Sequence, residues 1–162
     1  MGFFRGEKMK KEFIDLWLKT GIIRIRQRDT EKIKSMIQSA EINVGVTKSV
    51  PLNEDSGTLI FREIYESIRQ LGDAYWLSLG YEPSNHEISL DALKELSIKN
   101  GVKLNFLSRF KQIRHDANYK GFRVSTAQAK EIIEFWGSCG KDIINAIKSK
   151  LREDLEKEDE GN

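Results

Sequence analysis

The sequence predicts an all-α protein, an up-and-down antiparallel bundle of four to five helices with a short helix added at the N-terminus. Three observations predict it. Apolar residues recur along most of the chain at the i, i+3, i+4 spacing of one helix face. The stripes are separated by short polar connections that carry glycine or one of only two prolines. Nowhere does the alternation of a half-buried strand compete with that spacing.

The elements follow in order. Glu12 to Lys19 sets Phe13, Leu16 and Trp17 at helical spacing, and Gly21 ends that short helix. Ile22 to Ile25 reads as a connector. Asp29 or Thr30 is placed to accept an orphan backbone N–H as an N-cap. The helix it opens has the inward stripe Ile33, Met36, Ile37, Ala40 and Val44, and Pro51 stops it. Asn53 to Gly57 is a loop. The longest helix runs from Thr58 to Leu79 on the stripe Ile60, Ile64, Ile68, Leu71, Tyr75 and Leu79, with Gly80 as its C-terminal signal. Tyr81 to Asn85, with Pro83, reads as a turn. A shorter helix with Ile88, Ala92, Leu93 and Leu96 inward ends near Asn100 and Gly101. The next, from about Lys103 to Asn118, puts Phe106, Leu107, Phe110, Ile113 and Ala117 on one face, and Gly121 ends it. Ser125 or Thr126 caps a single last helix, whose inward face is Ala129, Ile132, Ile133, Trp136, Cys139, Ile143, Ile147 and Leu151.

Composition excludes several classes. A length of 162 residues suits one domain with a real core. With 39% hydrophobic and 32% charged residues, the chain is too apolar for disorder and too charged for a membrane protein. No run approaches the roughly 18 apolar residues of a spanning helix. Met1 to Lys11 has no apolar core of a secretory signal, so a cytoplasmic protein is expected. The lone Cys139 excludes an internal disulfide and a Cys-pair zinc site; on an inward stripe it reads as a buried structural thiol. Two histidines, His86 and His115, are too few for a His-based metal cage, and phosphate-loop, zinc-protease and calcium-loop motifs are absent. No metal and no cofactor are expected.

Charge is uneven. Residues 1–28 carry eight basic against three acidic side chains, net +5, while residues 152–162 carry six acidic against two basic, net −4. The acidic end reads as a tail frayed into solvent. Met9 reads as a natural beginning, which makes residues 1–8 an extension without structure.

The chemistry concentrates between Arg109 and Tyr119, where Arg109, Lys111, Arg114 and His115 crowd two turns of helix. Arg114 falls only ~40° from Phe110 at 100° per residue. An arginine inside the apolar arc needs a carboxylate, a carbonyl or a bound anion, and Glu63 or Asp73 of the long helix are the candidate partners. Arg109 and His115 lie ~120° apart on a straight helix and would not share a face. His115 is the natural proton carrier near neutrality. His86 reads as structural, in the first turn of the fourth helix.

Three passages, in this order, carry a resemblance: Arg28-Asp29-Thr30-Glu31-Lys32-Ile33; Ile60 to Arg69 running on to Gly80-Tyr81 and Ser84-Asn85-His86-Glu87; and Ile113-Arg114-His115-Asp116-Ala117-Asn118-Tyr119, followed by the helix opening Val124-Ser125-Thr126. Together they resemble the HEPN domains, the "higher eukaryotes and prokaryotes nucleotide-binding" family. The resemblance covers about residues 28–151. It leaves 1–27 as an N-terminal extension with a short basic helix and 152–162 as the acidic tail.

That resemblance implies an up-and-down helical bundle, usually a homodimer. Many such proteins are metal-independent endoribonucleases, often toxins paired with a minimal nucleotidyltransferase. Their signature is Arg, four to six residues, then His, which Arg109 and His115 fit. The resemblance thus assigns catalysis to Arg109 and His115, and nucleic-acid or nucleotide contacts to Arg114, Lys111, Asn118 and Tyr119. Active members commonly have a polar residue after that arginine, where this chain has Phe110. Three functions stay open: a dimeric module binding RNA, a nucleotide or a cognate nucleotidyltransferase; a ribonuclease using Arg109 and His115; and a structural helical dimer.

Overall fold

The computed structural model describes residues 7–161, and their side chains from residue 11 onward. The fold is all-α. Helix α1 spans Glu7–Lys19, α2 Thr30–Thr47, α3 Gly57–Ser78, α4 Phe106–Tyr119, α5 Thr126–Phe135 and α6 Lys141–Glu160. Two short strands, β1 (Ile23–Ile25) and β2 (Tyr81–Pro83), pair antiparallel with Ile23 opposite Pro83.

Helix α3 is the axis of the molecule. It packs against α2, α4, α5 and α6 and buries 14 of its 22 residues, so it is apolar nearly all round. Ile33, Ile37, Ala40 and Val44 of α2 meet it, as do Leu107, Phe110 and Ala117 of α4 and Ile132, Cys139, Ile143 and Ile147 of the last two helices. Phe110 is central. Its ring lies edge-on to Phe61 at 6.1 Å and to Phe135 at 5.4 Å. The caps are where the sequence puts them. The Asp29 carboxylate accepts from the Lys32 backbone N–H, and Ser125 and Gln128 form a reciprocal capping box. Gly80 ends α3 at φ +90.

Five expectations are corrected. The connector Ile22 to Ile25 contains a strand, and the turn at Pro83 is its partner. Three residues are too few to show period two, and the pairing joins segments far apart in sequence. The helix expected after Asn85 is a chain of 3-10 turns at His86–Ile88, Leu93–Glu95 and Gly101–Asn105. There Ile88, Ser89, Leu90, Ala92 and Leu93 are all buried, which no single helix face allows, and the Ile88 carbonyl accepts from the Trp76 indole at 2.9 Å. The single last helix is broken by a π turn over Trp136–Gly140. Ile133 and Phe106, expected inward, are 38% and 46% exposed. Leu16 also faces out, and Ile14, Trp17 and Leu18 carry the packing of α1.

The fifth correction concerns the acidic end, which is helical to Glu160, with Asp154 bridging Arg28 at 3.0 Å and Lys150 at 3.6 Å. The expectation that residues 1–8 lack structure falls outside the described residues for 1–6, while Glu7 and Lys8 open α1. No helix among the described residues is long and apolar enough to cross a membrane.

Candidate functional site

An open cleft of about 720 Å³ lies between α3, the turn at residues 85–87 and α4. Helix α3 presents Tyr65, Glu66 and Arg69 to it, beside the buried stripe of Ile64 and Ile68. Helix α4 presents Lys111, Arg114, His115 and Tyr119 to it. The turn adds Asn85, His86 and Glu87, with the Asn85 side chain accepting from the Glu87 N–H at 2.9 Å.

The turn is pinned to α3 by three contacts. Ser89 donates its hydroxyl to Asp73 at 2.6 Å, Trp76 donates to Ile88, and Gly72 lets the Ser89 carbonyl lie against the helix. His86 is thereby fixed beside Arg69, whose Nη1 is 2.6 Å from His86 Nδ1. A guanidinium can only donate, so His86 Nδ1 is the acceptor of this contact. The Asp73 carboxylate lies 3.5 Å from the same nitrogen.

Arg114 has a carboxylate, as an arginine in the apolar arc requires, but the carboxylate is Glu66 at 3.1 Å rather than Glu63 or Asp73. Its guanidinium also sits 5.6 Å from the centre of the Tyr65 ring. Glu66 holds Arg69 as well, at 2.9 Å, so one carboxylate spans two arginines. Burial pushes the Tyr65 phenol up to about 12, against the opposing pull of Arg114. Lys111 reaches the Glu87 carboxylate at 3.1 Å and its backbone carbonyl at 2.6 Å. At the lip, the His115 and Tyr119 rings lie one turn apart with centroids 4.7 Å from each other, and Tyr119 is 74% exposed.

Arg109 is elsewhere. Its guanidinium makes a two-pronged bond to Glu131 of α5, at 2.9 and 3.1 Å, and it does not line the cleft. The structure therefore does not bring Arg109 and His115 together within one chain, in keeping with the ~120° between them on a helix. Asn118 is exposed and also lies outside the lining. Lys111, Arg114, His115 and Tyr119 do share the cleft.

Residue spacing alone does not mark Tyr65, Glu66, Arg69, Asn85, His86 and Glu87 as site residues. The available signal was their place in the second of the three quoted passages, which folds against the third. His86, expected to be structural in a helix, stands in a 3-10 turn with its ring in the cleft. Among the described residues no group of three His, Cys, Asp or Glu is arranged to hold a metal ion. Cys139 is fully buried and burial pushes its thiol up, so it is a packing group. Comparison of the chain with protein-family models, with curated proteins and with solved structures returns no match.

Proposed function

We propose that this chain is a HEPN-like module that binds RNA or a nucleotide in the α3–α4 cleft, acting as a cytoplasmic homodimer with a minimal nucleotidyltransferase as its cognate partner. The observation that carries the reading is the make-up of the cleft. Two arginines, a lysine, two imidazoles and an exposed tyrosine line one open space. Guanidinium forks fit phosphate oxygens in pairs, and an exposed aromatic ring can stack on an unpaired base. Each cation rests on a carboxylate in the free protein, so a phosphate binds by taking the place of Glu66 on Arg114 or of Glu87 on Lys111. Binding leads over cleavage because Arg109 is committed to Glu131 outside the cleft.

One observation favours a second reading, metal-independent RNA cleavage. His86 and His115 line the same cleft, so a proton acceptor and a proton donor could both meet a scissile phosphate. One imidazole would take the 2′-hydroxyl proton and the other would protonate the leaving 5′-oxygen.

Labelled single-stranded RNA in EDTA separates the two. For a binding module, Arg114→Ala weakens affinity and lowers the log–log salt slope by about 0.7, one phosphate contact on a single strand. His115→Ala leaves affinity nearly unchanged, because a neutral ring adds little charge. RNA cut by wild type and spared by His115→Ala would establish the ribonuclease instead. No binding and no cutting would leave a structural helical protein, and a monomeric mass by light scattering would refute the dimer.

A further inference from the structure

A second cleft, of about 350 Å³, lies on another face of the molecule, between the end of α2 and the π turn that leads into α6. It shares no residue with the α3–α4 cleft. Gly45 and Lys48 line it from α2, and Trp136, Lys141, Asn145 and Lys148 from the π turn and α6. Three features of this surface are not accounted for by the fold.

The first is charge. Lys48, Lys141 and Lys148 face one carboxylate, Glu41, and among the described residues none of the three is within ion-pair distance of an acid. In the α3–α4 cleft every lysine and arginine is so paired. Three lysines gathered around a single carboxylate that pairs with none of them repel one another.

The second is Trp136. Its ring is half-buried and set by the π turn, a distortion that recurs at functional sites. Gly140 lies directly against it, so close that a Cβ would sit 2.9 Å from Cδ2 and 3.0 Å from Cε2. The indole thus packs against the backbone at Gly140, where it lines the cleft. Its N–H has no partner among the described residues, whereas the buried Trp76 indole donates to Ile88.

The third is Gly45. It sits inside α2 with an ordinary helical φ, and a Cβ there would meet nothing within 4 Å. Glycine inside a helix is destabilising relative to alanine, and no neighbour here requires it. What its missing side chain leaves is open space along the cleft.

We propose that this cleft is a second binding site, for single-stranded nucleic acid. A base stacks on Trp136 in the space left by Gly45, and successive phosphates lie on Lys48, Lys141 and Lys148. An acidic peptide would use the lysines but not the indole or the open space at Gly45, which is why a polyanion bearing aromatic bases fits better.

The test uses the full chain and a fluorescein-labelled oligouridine of about 12 nucleotides, within the roughly 4–16 nucleotide footprint of such sites. Binding is measured in wild type and in a Lys111→Ala/Arg114→Ala background, so that the second site is read whether or not the α3–α4 cleft binds RNA. Lys141→Gln/Lys148→Gln is expected to weaken binding and to lower the salt slope by about 1.4, two contacts at about 0.7 each. Gly45→Leu and Trp136→Leu are each expected to weaken it roughly 5- to 150-fold, the loss of one stacked base, with an unchanged slope. Circular dichroism checks the fold of each variant. Should Trp136→Leu lose helicity, Gly45→Leu carries the same readout. Unchanged affinity and slope in the lysine variant would overturn the proposal. So would an oligoglutamate that displaces the RNA equally well and binds Trp136→Leu as tightly as wild type, which would reassign the site to acidic peptides.

Discussion

Gly72 has no side chain, and the shape of the α3–α4 cleft depends on that absence. A Cβ at this position would collide with the Ser89 carbonyl oxygen and lie 2.7 Å from the carbonyl carbon, both backbone atoms that no rotamer change can move. The close approach lets Ser89 donate to Asp73 and lets Ile88 accept from Trp76, and these bonds fix the turn that carries His86. Gly72→Ala is therefore expected to cost about 1–3 kcal/mol, as overpacking of a close contact does. Urea denaturation measures the cost, and the imidazole resonances of His86 should shift while those of His115 stay in place. An unchanged midpoint with an unmoved His86 would show that the turn is not held there. Residue-scale features of this kind were only partly legible in the sequence. Arg114 could be placed in the apolar arc from spacing alone, and its need for a carboxylate followed. The choice of Glu66 over Glu63 could not be read, because it depends on the rotation of α3 against α4. Gly72 carried no signal, since its partner lies 17 residues away in an irregular turn.

At the scale of elements, the long helices were legible because each buries a stripe of regular period. Gly80 and Gly121 marked helix ends, at φ +90 and +68. What escaped was structure held by tertiary contact rather than by period. The 3-10 turns after Asn85 spend backbone carbonyls on Trp76 and α3, and the two strands find each other across the chain. That pairing joins α1 to the core. Ser84 donates its backbone N–H to Ile22 and its hydroxyl to Gly21, Arg26 donates to Gly80, and Trp17 lies edge-on to Trp76 at 5.7 Å. Across the ladder Arg24 and Arg26 flank Glu82 at 3.2 and 3.0 Å. The Arg24 hydrogen bond, helped by the charge of Arg26, holds the Glu82 carboxyl below its ordinary 4.5. A carboxyl whose folded value is depressed contributes stability that is fully present above 4.5 and is lost as pH falls through the folded value. Because Arg24 and Arg26 are solvent-exposed, the effect is local and modest. The protection of the β1 amides, relative to intrinsic exchange, should fall in acid more than that of α3 does, and Glu82→Gln should show the weaker β1 protection already at neutral pH. Equal protection of β1 in wild type and Glu82→Gln would remove the carboxylate from this role.

On the scale of the whole molecule, the basic beginning and the acidic end of the sequence are not two independent surfaces. The sequence shows the excess of each sign, yet only the fold brings Arg28, just before α2, against Asp154, far along α6, at 3.0 Å. Leu151 is buried one turn before Asp154, so packing places the carboxylate as much as charge does. Both partners are mostly removed from water, with side chains 26% and 13% exposed, and the Arg28 Nε is buried without a hydrogen-bond acceptor. The pair thus ties the segment before α2 to the far part of α6 at a point where neither charge is easily hydrated. Removing one partner of such a pair costs more than the pair itself contributes, because the other charge is left behind. Asp154→Leu is expected to destabilise by about 1–3 kcal/mol, the penalty of an unsatisfied buried polar group. For a chain of this size each kcal/mol lowers the midpoint of thermal unfolding by about 2–4 °C. Arg28→Met alone leaves the Asp154 carboxylate with a second cation, Lys150 at 3.6 Å, and should cost less. The double variant Arg28→Met/Asp154→Leu should recover most of the loss, since an apolar pair of similar volume has no desolvation to repay. A thermodynamic cycle over the four proteins reads the coupling directly. If the two single effects simply add in the double variant, Arg28 and Asp154 do not act as a pair, and the helical acidic end is held by the packing of Leu151 alone.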